Sequence, residues 1–437
     1  MIQNSILSQD SFGFIGSIDL TKHPLLSAKR KIIIEYVYSL FYFLSLNELD
    51  DYSRLRLMKY AETFDVPYDS SESIQKNCAN KVFFTKVFPW KTKYKYWLLC
   101  DLAMILMDKN RVSNIAELMS SSLTKRQRKR MKDLLLFLNT SFNDTCIYQE
   151  MIPIINQYKI NHRYFELSEK RIVVTANMSA GKSTFINAII GKPLARTSEE
   201  ACTGNICEFL SKPFEDGNVH LNGEKITFHA SESDLTSFSW NTPINIASFF
   251  RFTQETENRF RLIDTPGVNS AINKNHGQIT KNILLTMQYD WVIYILNASK
   301  LGTDEELRFI RWISQHVPHE KVIFVINKLD NFKNNEDNIL ASINGVRSDL
   351  LQYFENPVIC PLSARFALLL KLKNNQDYLS EDENDEYEYL AKKFSKPVFD
   401  FSKYYNCSDP IDNNNQALLA QRCGIWCLEK LLLNRGE

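Results

Sequence analysis

Five short runs in the second half of the chain are apolar at most positions, and they narrow the fold more than any other feature. They are RIVVTA (171–176), RFRLID (259–264), WVIYILNA (291–298), KVIFVIN (321–327) and PVICPLSA (357–364). A strand takes this composition when both of its faces are covered, as in sheets with helices on either side. The stretches between the runs carry helical periodicity and read as crossovers, and crossovers imply parallel neighbours. The expected architecture is therefore α/β with a mostly parallel central sheet.

The first half is of another kind. Glycine is absent between Ser17 and Arg171, and Ala28–Leu46, Asp51–Ala61, Tyr94–Met107 and Arg126–Leu138 repeat apolar residues at steps of three and four. Helices joined by short turns behave this way. A length of 437 residues with 44% hydrophobic content supports more than one core. Residues 1–168 are expected as an all-α domain and residues 169–437 as the α/β domain. Within the latter, residues 374–415 carry the acidic run Glu381–Glu388 and an asparagine run, and they read as a solvated, flexible insertion.

Four segments in the second half carry chemistry, and a fifth supports them. Ala176-Asn177-Met178-Ser179-Ala180-Gly181-Lys182-Ser183-Thr184 follows the first apolar run and fits G-x-x-x-x-G-K-[ST], with Ala176 in place of the first glycine. Such a loop points backbone N–H groups at a phosphate; Lys182 would reach the β- and γ-phosphates and Ser183 would ligate Mg²⁺. Asp264-Thr-Pro-Gly267 begins at the end of the second run: Asp264 would hold Mg²⁺ through water, and the Gly267 amide would meet the γ-phosphate. Asn327-Lys328-Leu-Asp330 ends the fourth run, and the Asp330 carboxylate would accept from guanine N1–H and the exocyclic amine, a pair adenine does not offer. Ser363-Ala364-Arg365, after the fifth run, would turn a backbone N–H toward guanine O6. Between the first two motifs, Thr203 is the candidate switch threonine closing on Mg²⁺, with Thr197 as runner-up. The spacing predicts a P-loop NTPase G domain that takes GTP or GDP with Mg²⁺.

The P-loop NMSAGKSTFINAIIG, the switch stretch EEACT and DTPG together resemble the dynamin-like GTPases, especially their bacterial members. Cys423-Gly-Ile-Trp-Cys-Leu-Glu429 resembles the S-G-I-x-x-L-E segment that opens the last G-domain helix in that family. The resemblance covers residues from about 168 to 435 and implies GTP hydrolysis stimulated by G-domain dimerisation, with itself or with a second dynamin-like chain. The chain departs from the family in three ways. Ala176 stands where glycine is usual. Val268 follows D-x-x-G, and Met178 occupies the P-loop position where eukaryotic dynamins carry glutamine, so neither water-orienting side chain is present. The chain stops where the G domain is expected to end, so a stalk would come from residues 1–168 or another protein.

Composition excludes some classes of partner. Lys+Arg of 52 against Asp+Glu of 51 leaves a net charge of +1, which gives no general pull toward nucleic acid or membrane. The local exception is the basic run Lys125–Lys132, read either as a solvated helix face or as a patch for anionic lipid or nucleic acid. Nine cysteines without a C-x-x-C pair, and an N-terminus without a signal-like apolar stretch, read as a cytoplasmic protein with reduced thiols, peripheral to membrane at most. Two rival readings remain at this level: a GTP-dependent regulatory module of low turnover, and a ribosome-associated GTPase.

Overall fold

The computed structural model describes residues 11–68, 71–84, 92–140, 149–196, 206–237, 244–254, 256, 258–267, 275–333, 338–405 and 414–434. The chain divides into two compact units. One holds Met1–Leu167 with Lys212–His220 and Ile226–Phe228; the other holds Ser168–Ser211, Leu221–Lys225 and His229–Glu437.

The first unit is built of α1 (Ser11–Ile15), α2 (Arg30–Ser45), α3 (Asp51–Thr63), α4 (Glu72–Ala79), α5 (Thr92–Leu106), α6 (Lys109–Ser121), α7 (Lys125–Asn139) and α8 (Ile152–Glu166). Side chains that compete with the backbone elsewhere act here as caps: Asp50, Asp108 and Thr124 accept the free N–H groups that open α3, α6 and α7. Helix α5 is buried at every position from Tyr94 to Leu106, which marks it as the axis of the unit. One carboxylate sits in that core. Asp101 accepts from Tyr36 Oη at 2.5 Å, Tyr60 Oη at 3.0 Å and His23 Nε2 at 3.1 Å. Because His23 Nδ1 accepts the Leu25 N–H, its proton lies on Nε2, and the three donors compensate a charge that would otherwise be costly to bury.

The second stretch of this unit belongs to it through specific bonds. His220 Nδ1–H donates to the Phe14 carbonyl at 2.6 Å, leaving Nε2 to accept from Lys212 Nζ at 3.0 Å. The His220 ring also stacks on Phe228 at 3.9 Å.

The rest of the chain alternates strands and helices, with His220 of β3 and all of β4 falling in the stretches counted with the first unit: β1 (Glu169–Ala176), α9 (Lys182–Ile190), β2 (Cys207–Ser211), β3 (His220–Asn222), β4 (Ile226–Thr227), α10 (Glu232–Ser237), β5 (Ile244–Ser248), β6 (Arg259–Asp264), α11 (Asn275–Thr286), β7 (Trp291–Asn297), α12 (Asp304–His316), β8 (Val322–Asn327), α13 (Ile339–Leu350), β9 (Val358–Pro361), α14 (Ala364–Asn374), α15 (Glu381–Phe394), α16 (Asn415–Arg422) and α17 (Ile425–Asn434). Among the described residues the sheet has nine strands in the order β4-β3-β5-β2-β6-β1-β7-β8-β9. The block β6-β1-β7-β8-β9 is parallel throughout, and the one reversal within the core strands is β2 against β6. All five apolar runs are strands of that block, so the mostly parallel α/β sheet read from them stands.

The acidic stretch requires a correction. Residues 381–388, expected within a flexible insertion, open α15, an ordered helix. Ser380 caps it in a reciprocal capping box with Glu383, and three acids in its first turn face the positive end of the helix dipole. Tyr387, Leu390 and Phe394 are buried beneath it, and the Phe366 and Phe394 rings stack at 4.9 Å. A run of six acids hid an amphipathic period that begins only at Tyr387.

Helix α17 is fixed by charge as well as by packing. Glu429, fully buried, accepts from Lys371 Nζ of α14 at 2.5 Å and from the Thr253 N–H at 2.7 Å, while Lys371 Nζ also donates to the Ile189 carbonyl at the end of α9. Gly424, at φ +92°, lies where a Cβ would collide with the Pro361 carbonyl. The C-G-I-W-C-L-E stretch thus has a physical account: glycine for the close approach and glutamate for the buried lysine.

Candidate nucleotide-binding site

Parallel strands bring their C-terminal ends to one edge, where loops can converge on a ligand. The register does this here. Val174 of β1 lies opposite Asp264 of β6 and Ile293 of β7, and Asn297 lies opposite Asn327 at the ends of β7 and β8. The loop after β1 turns sharply before α9, with Ser179 at φ 60° and Gly181 at φ +85°. A Cβ at Gly181 would sit 2.5 Å from Asn327 Nδ2, so only glycine fits this position without displacement. Ala176 is fully buried at the strand end, in the place of the usual first glycine.

Two asparagines hold the loop by its carbonyls. Asn297 Nδ2 donates to Ser179 O at 3.1 Å, and Asn327 Nδ2 donates to Ala180 O at 3.0 Å. The Ala180 N–H closes the loop on the Asn177 carbonyl at 3.3 Å, and the N–H groups of the first turn of α9, which have no partner within the helix, are oriented to meet an anion. Lys182 at the start of α9 makes an ion pair with Asp264. Burial raises the Asp264 carboxyl above the usual carboxylate range, and the Lys182 charge opposes that shift. A lysine–carboxylate pair at a phosphate cradle is a donor set for phosphate oxygens and a divalent ion, and Ser183 beside it is half-buried. The residues present thus fit a Mg²⁺-bound nucleoside triphosphate. Gly267 follows, and the nearest side chain to a Cβ there would be Met178, at 3.6 Å. Thr265 Oγ1 donates to Val174 O at 3.0 Å and ties D-x-x-G to β1.

The other two loops are joined through one side chain. Asn327 Oδ1 accepts the Ala364 N–H at 3.1 Å, so Asn327 spans the P-loop and the 363–365 turn at once. Lys328 takes a left-handed conformation, φ 67°, and its Cε lies 3.6 Å from the Cβ position of Gly181. Burial raises the Asp330 carboxyl, while a hydrogen bond from Ser363 and the Lys393 charge favour its ionised form. Ser363 also caps α14 by accepting the Phe366 N–H at 3.3 Å. The Arg365 side chain turns away to Glu386 and Glu383 of α15.

The structure gathers Ala176–Thr184, Asp264, Gly267, Asn327–Asp330 and Ser363–Arg365 at this edge. Thr203, its runner-up Thr197, and Val268 lie outside the described residues. Three further residues were not singled out by motif. Asn297 had a legible signal, since WVIYILN ends in asparagine just as KVIFVIN does. Glu306 of α12 accepts from the Gly302 N–H at 3.2 Å and from Asn177 Nδ2 at 3.5 Å, and burial lifts its carboxyl to about 7. Lys393 of α15 donates to the Asp330 and Phe332 carbonyls at 2.6 and 2.7 Å. Neither sits in a short motif.

Fold and loop geometry together define a G domain of the P-loop NTPase class. Residues 172–329 match the model of the Dynamin family. That stretch is a little over a third of the chain, and over it the chain is similar to the dynamin-like proteins. An uncharacterized protein in the xynA 3′ region of Caldicellulosiruptor sp. (strain Rt8B.4) is 28% identical over 270 residues, 58% of this chain and 65% of that protein. The bacterial dynamin-like protein of Nostoc punctiforme is 23% identical over 163 residues, 32% of this chain and 22% of that protein. This chain therefore spans less than two thirds of either relative's own length. A solved bacterial dynamin pair, described as oligomerised and as sensing and tethering membranes over long range, is 17% identical; the match covers 89% of this chain and 60% of that one, with a TM-score of 0.37.

Proposed function

We propose that this chain binds GTP with Mg²⁺ and hydrolyses it to GDP and phosphate, with the loops carrying Thr203 and Asp264 switching between the two states. The observation that carries the reading is the Asn327 side chain, which links the phosphate loop to the Ala364 turn with Asp330 alongside. A phosphate cradle and the Ala364 turn joined through one residue, three positions before the guanine-matching carboxylate of Asp330, suit a guanine nucleotide.

The residues have separable roles. The loop N–H groups and Lys182 bind the β- and γ-phosphates, and Lys182 exchanges its Asp264 partner for phosphate oxygens when nucleotide enters. Ser183, Asp264 and Thr203 would hold Mg²⁺, which neutralises charge on the phosphates. The Gly267 amide orients the γ-phosphate. Water attacks phosphorus in line: its oxygen forms the new P–O bond as the bond to the β-phosphate oxygen breaks and GDP leaves. Asp330, Lys328 and the Ser363–Arg365 turn hold the base.

Water orientation is a role that neither Met178 nor Val268 can fill, since neither side chain carries a group able to align an attacking water. The resemblance to dynamin-like proteins supports a second G domain as the source of the missing group, either another copy or a second dynamin-like chain. The same methionine favours a second reading, in which the chain binds GTP, turns over slowly and serves as a switch for a partner. Among the described residues no helix is long and apolar enough to cross a membrane.

GTP turnover measured from far below to far above micromolar protein separates the two. Specific activity that climbs with concentration supports completion by a second G domain. A flat, near-zero rate with tight GTP binding supports the slow switch, and absence of GTP binding sinks both.

A further inference from the structure

We propose that Lys393, on the acidic helix α15, is a specificity-positioning residue that holds the guanine-reading carboxylate of Asp330 in register. The proposal rests on reading residues 327–330 as the guanine-recognition segment.

Lys393 is 7% exposed, and an ammonium taken out of water is costly unless its protons are used. Here they are used on the turn that carries Asp330. Nζ donates to the Asp330 carbonyl at 2.6 Å and to the Phe332 carbonyl at 2.7 Å, and it lies 4.6 Å from the centroid of the Phe399 ring. One carbonyl belongs to Asp330 within the short 3₁₀ turn Leu329–Asn331 and the other to Phe332, which caps it, so one side chain grips the exit of the N-K-x-D segment. The sheet ladder stops at Asn327, and the turn's own backbone bonds, Asn331 N–H to Lys328 O at 3.1 Å and Phe332 N–H to Leu329 O at 3.2 Å, close it without tying it to another element; Lys393 ties it to α15.

A second contact of α15 points the same way. Arg365 pairs with Glu386 at 2.7 Å and with Glu383 at 3.4 Å, so α15 also grips the turn after β9. The Asp330 turn and the Ser363–Arg365 turn approach a base from two sides, and both are anchored to one helix. Asn327 then ties them to each other and to the phosphate loop.

The consequence lies in base recognition. Guanine offers a carboxylate two donors, N1–H and the exocyclic amine, and a bidentate match tolerates little displacement. Hypoxanthine offers N1–H alone. Freeing the Asp330 turn therefore removes the advantage of GTP over ITP and leaves the phosphate contacts in place. A purely structural loss would lower both affinities together.

The experiment uses the full chain and measures Kd for GTP and ITP by displacement of a fluorescent GDP analogue. Wild type is expected to prefer GTP by about tenfold or more. In Lys393→Met the GTP affinity falls about tenfold and the ITP affinity only about two- to threefold, so the preference collapses; Lys393→Arg, which keeps charged donors, restores most of it. Lys393→Gln is the milder companion should the methionine variant fail to fold, and it follows the same pattern. A folded Met or Gln variant that keeps the wild-type preference, or that loses GTP and ITP affinity by the same factor, overturns the proposal. A wild-type protein indifferent to the exocyclic amine refutes the guanine reading itself, a result distinct from failure of the Lys393 role.

Discussion

Asn297 and Asn327 occupy the same register position on neighbouring strands, and each donates its amide to one carbonyl of the phosphate loop. Their effect is to orient a loop that the two left-handed residues Ser179 and Gly181 leave without ladder bonds. Asn297 has no base to contact in this reading; it holds the loop through Nδ2 and caps the turn that follows β7 by accepting the Ser299 N–H at 3.0 Å. Replacing it with alanine is expected to weaken GTP and ATP binding alike, by about 1–2 kcal/mol for a lost, partly buried hydrogen bond, and calorimetric titration with both nucleotides checks this. A loss confined to GTP would place Asn297 at the base instead. At this scale the sequence was highly legible where a residue type is dictated by chemistry: Gly181, Lys182, Asp264 and Asp330 could be named from spacing alone. It was poorly legible where the demand is geometric. Glu306 and Lys393 meet their partners across 129 and 63 positions of chain, and no local pattern encodes such distances.

At the scale of elements, the parallel block was readable because its strands are buried on both faces and so carry runs rather than alternation. Strands β2 and β5 escaped notice because CEFLS and INIAS are short and interrupted by polar residues. Helix α15 was misread because its N-terminal acids obscure the apolar positions that follow. Helix α12 supplies a prediction of its own. Burial raises the Glu306 carboxyl from 4.5 to about 7, a folded-state value above the unfolded one. Its contribution to stability is therefore fully present below about pH 4.5 and is lost as pH rises through 7. Glu306→Gln does not titrate, so the thermal midpoint of wild type is expected to fall relative to that of the variant between pH 5 and pH 8. A gap that stays constant across this range would show that Glu306 remains ionised throughout.

At the scale of the molecule, a helical unit with its own polar-centred core accompanies a G domain whose loops after β8 and β9 are both bonded to α15. The G domain follows from pattern, motif and register, each pointing to the same edge of the sheet. The role of the helical unit does not follow from its composition: its core explains why it folds, and packing residues carry no ligand chemistry. The basic run of α7 turns Met131, Leu134 and Leu138 inward, which accounts for its apolar positions as those of a solvated helix face. The central claim concerns the nucleotide. Its most direct test is competition of GTP and ATP for the full chain in the presence of Mg²⁺, read as displacement of a fluorescent GTP analogue. The account predicts displacement by GTP and an affinity for ATP at least about a hundredfold weaker, because the Asp330 carboxylate faces no donor pair on adenine. Equal displacement by the two nucleotides, or none by GTP, would contradict it.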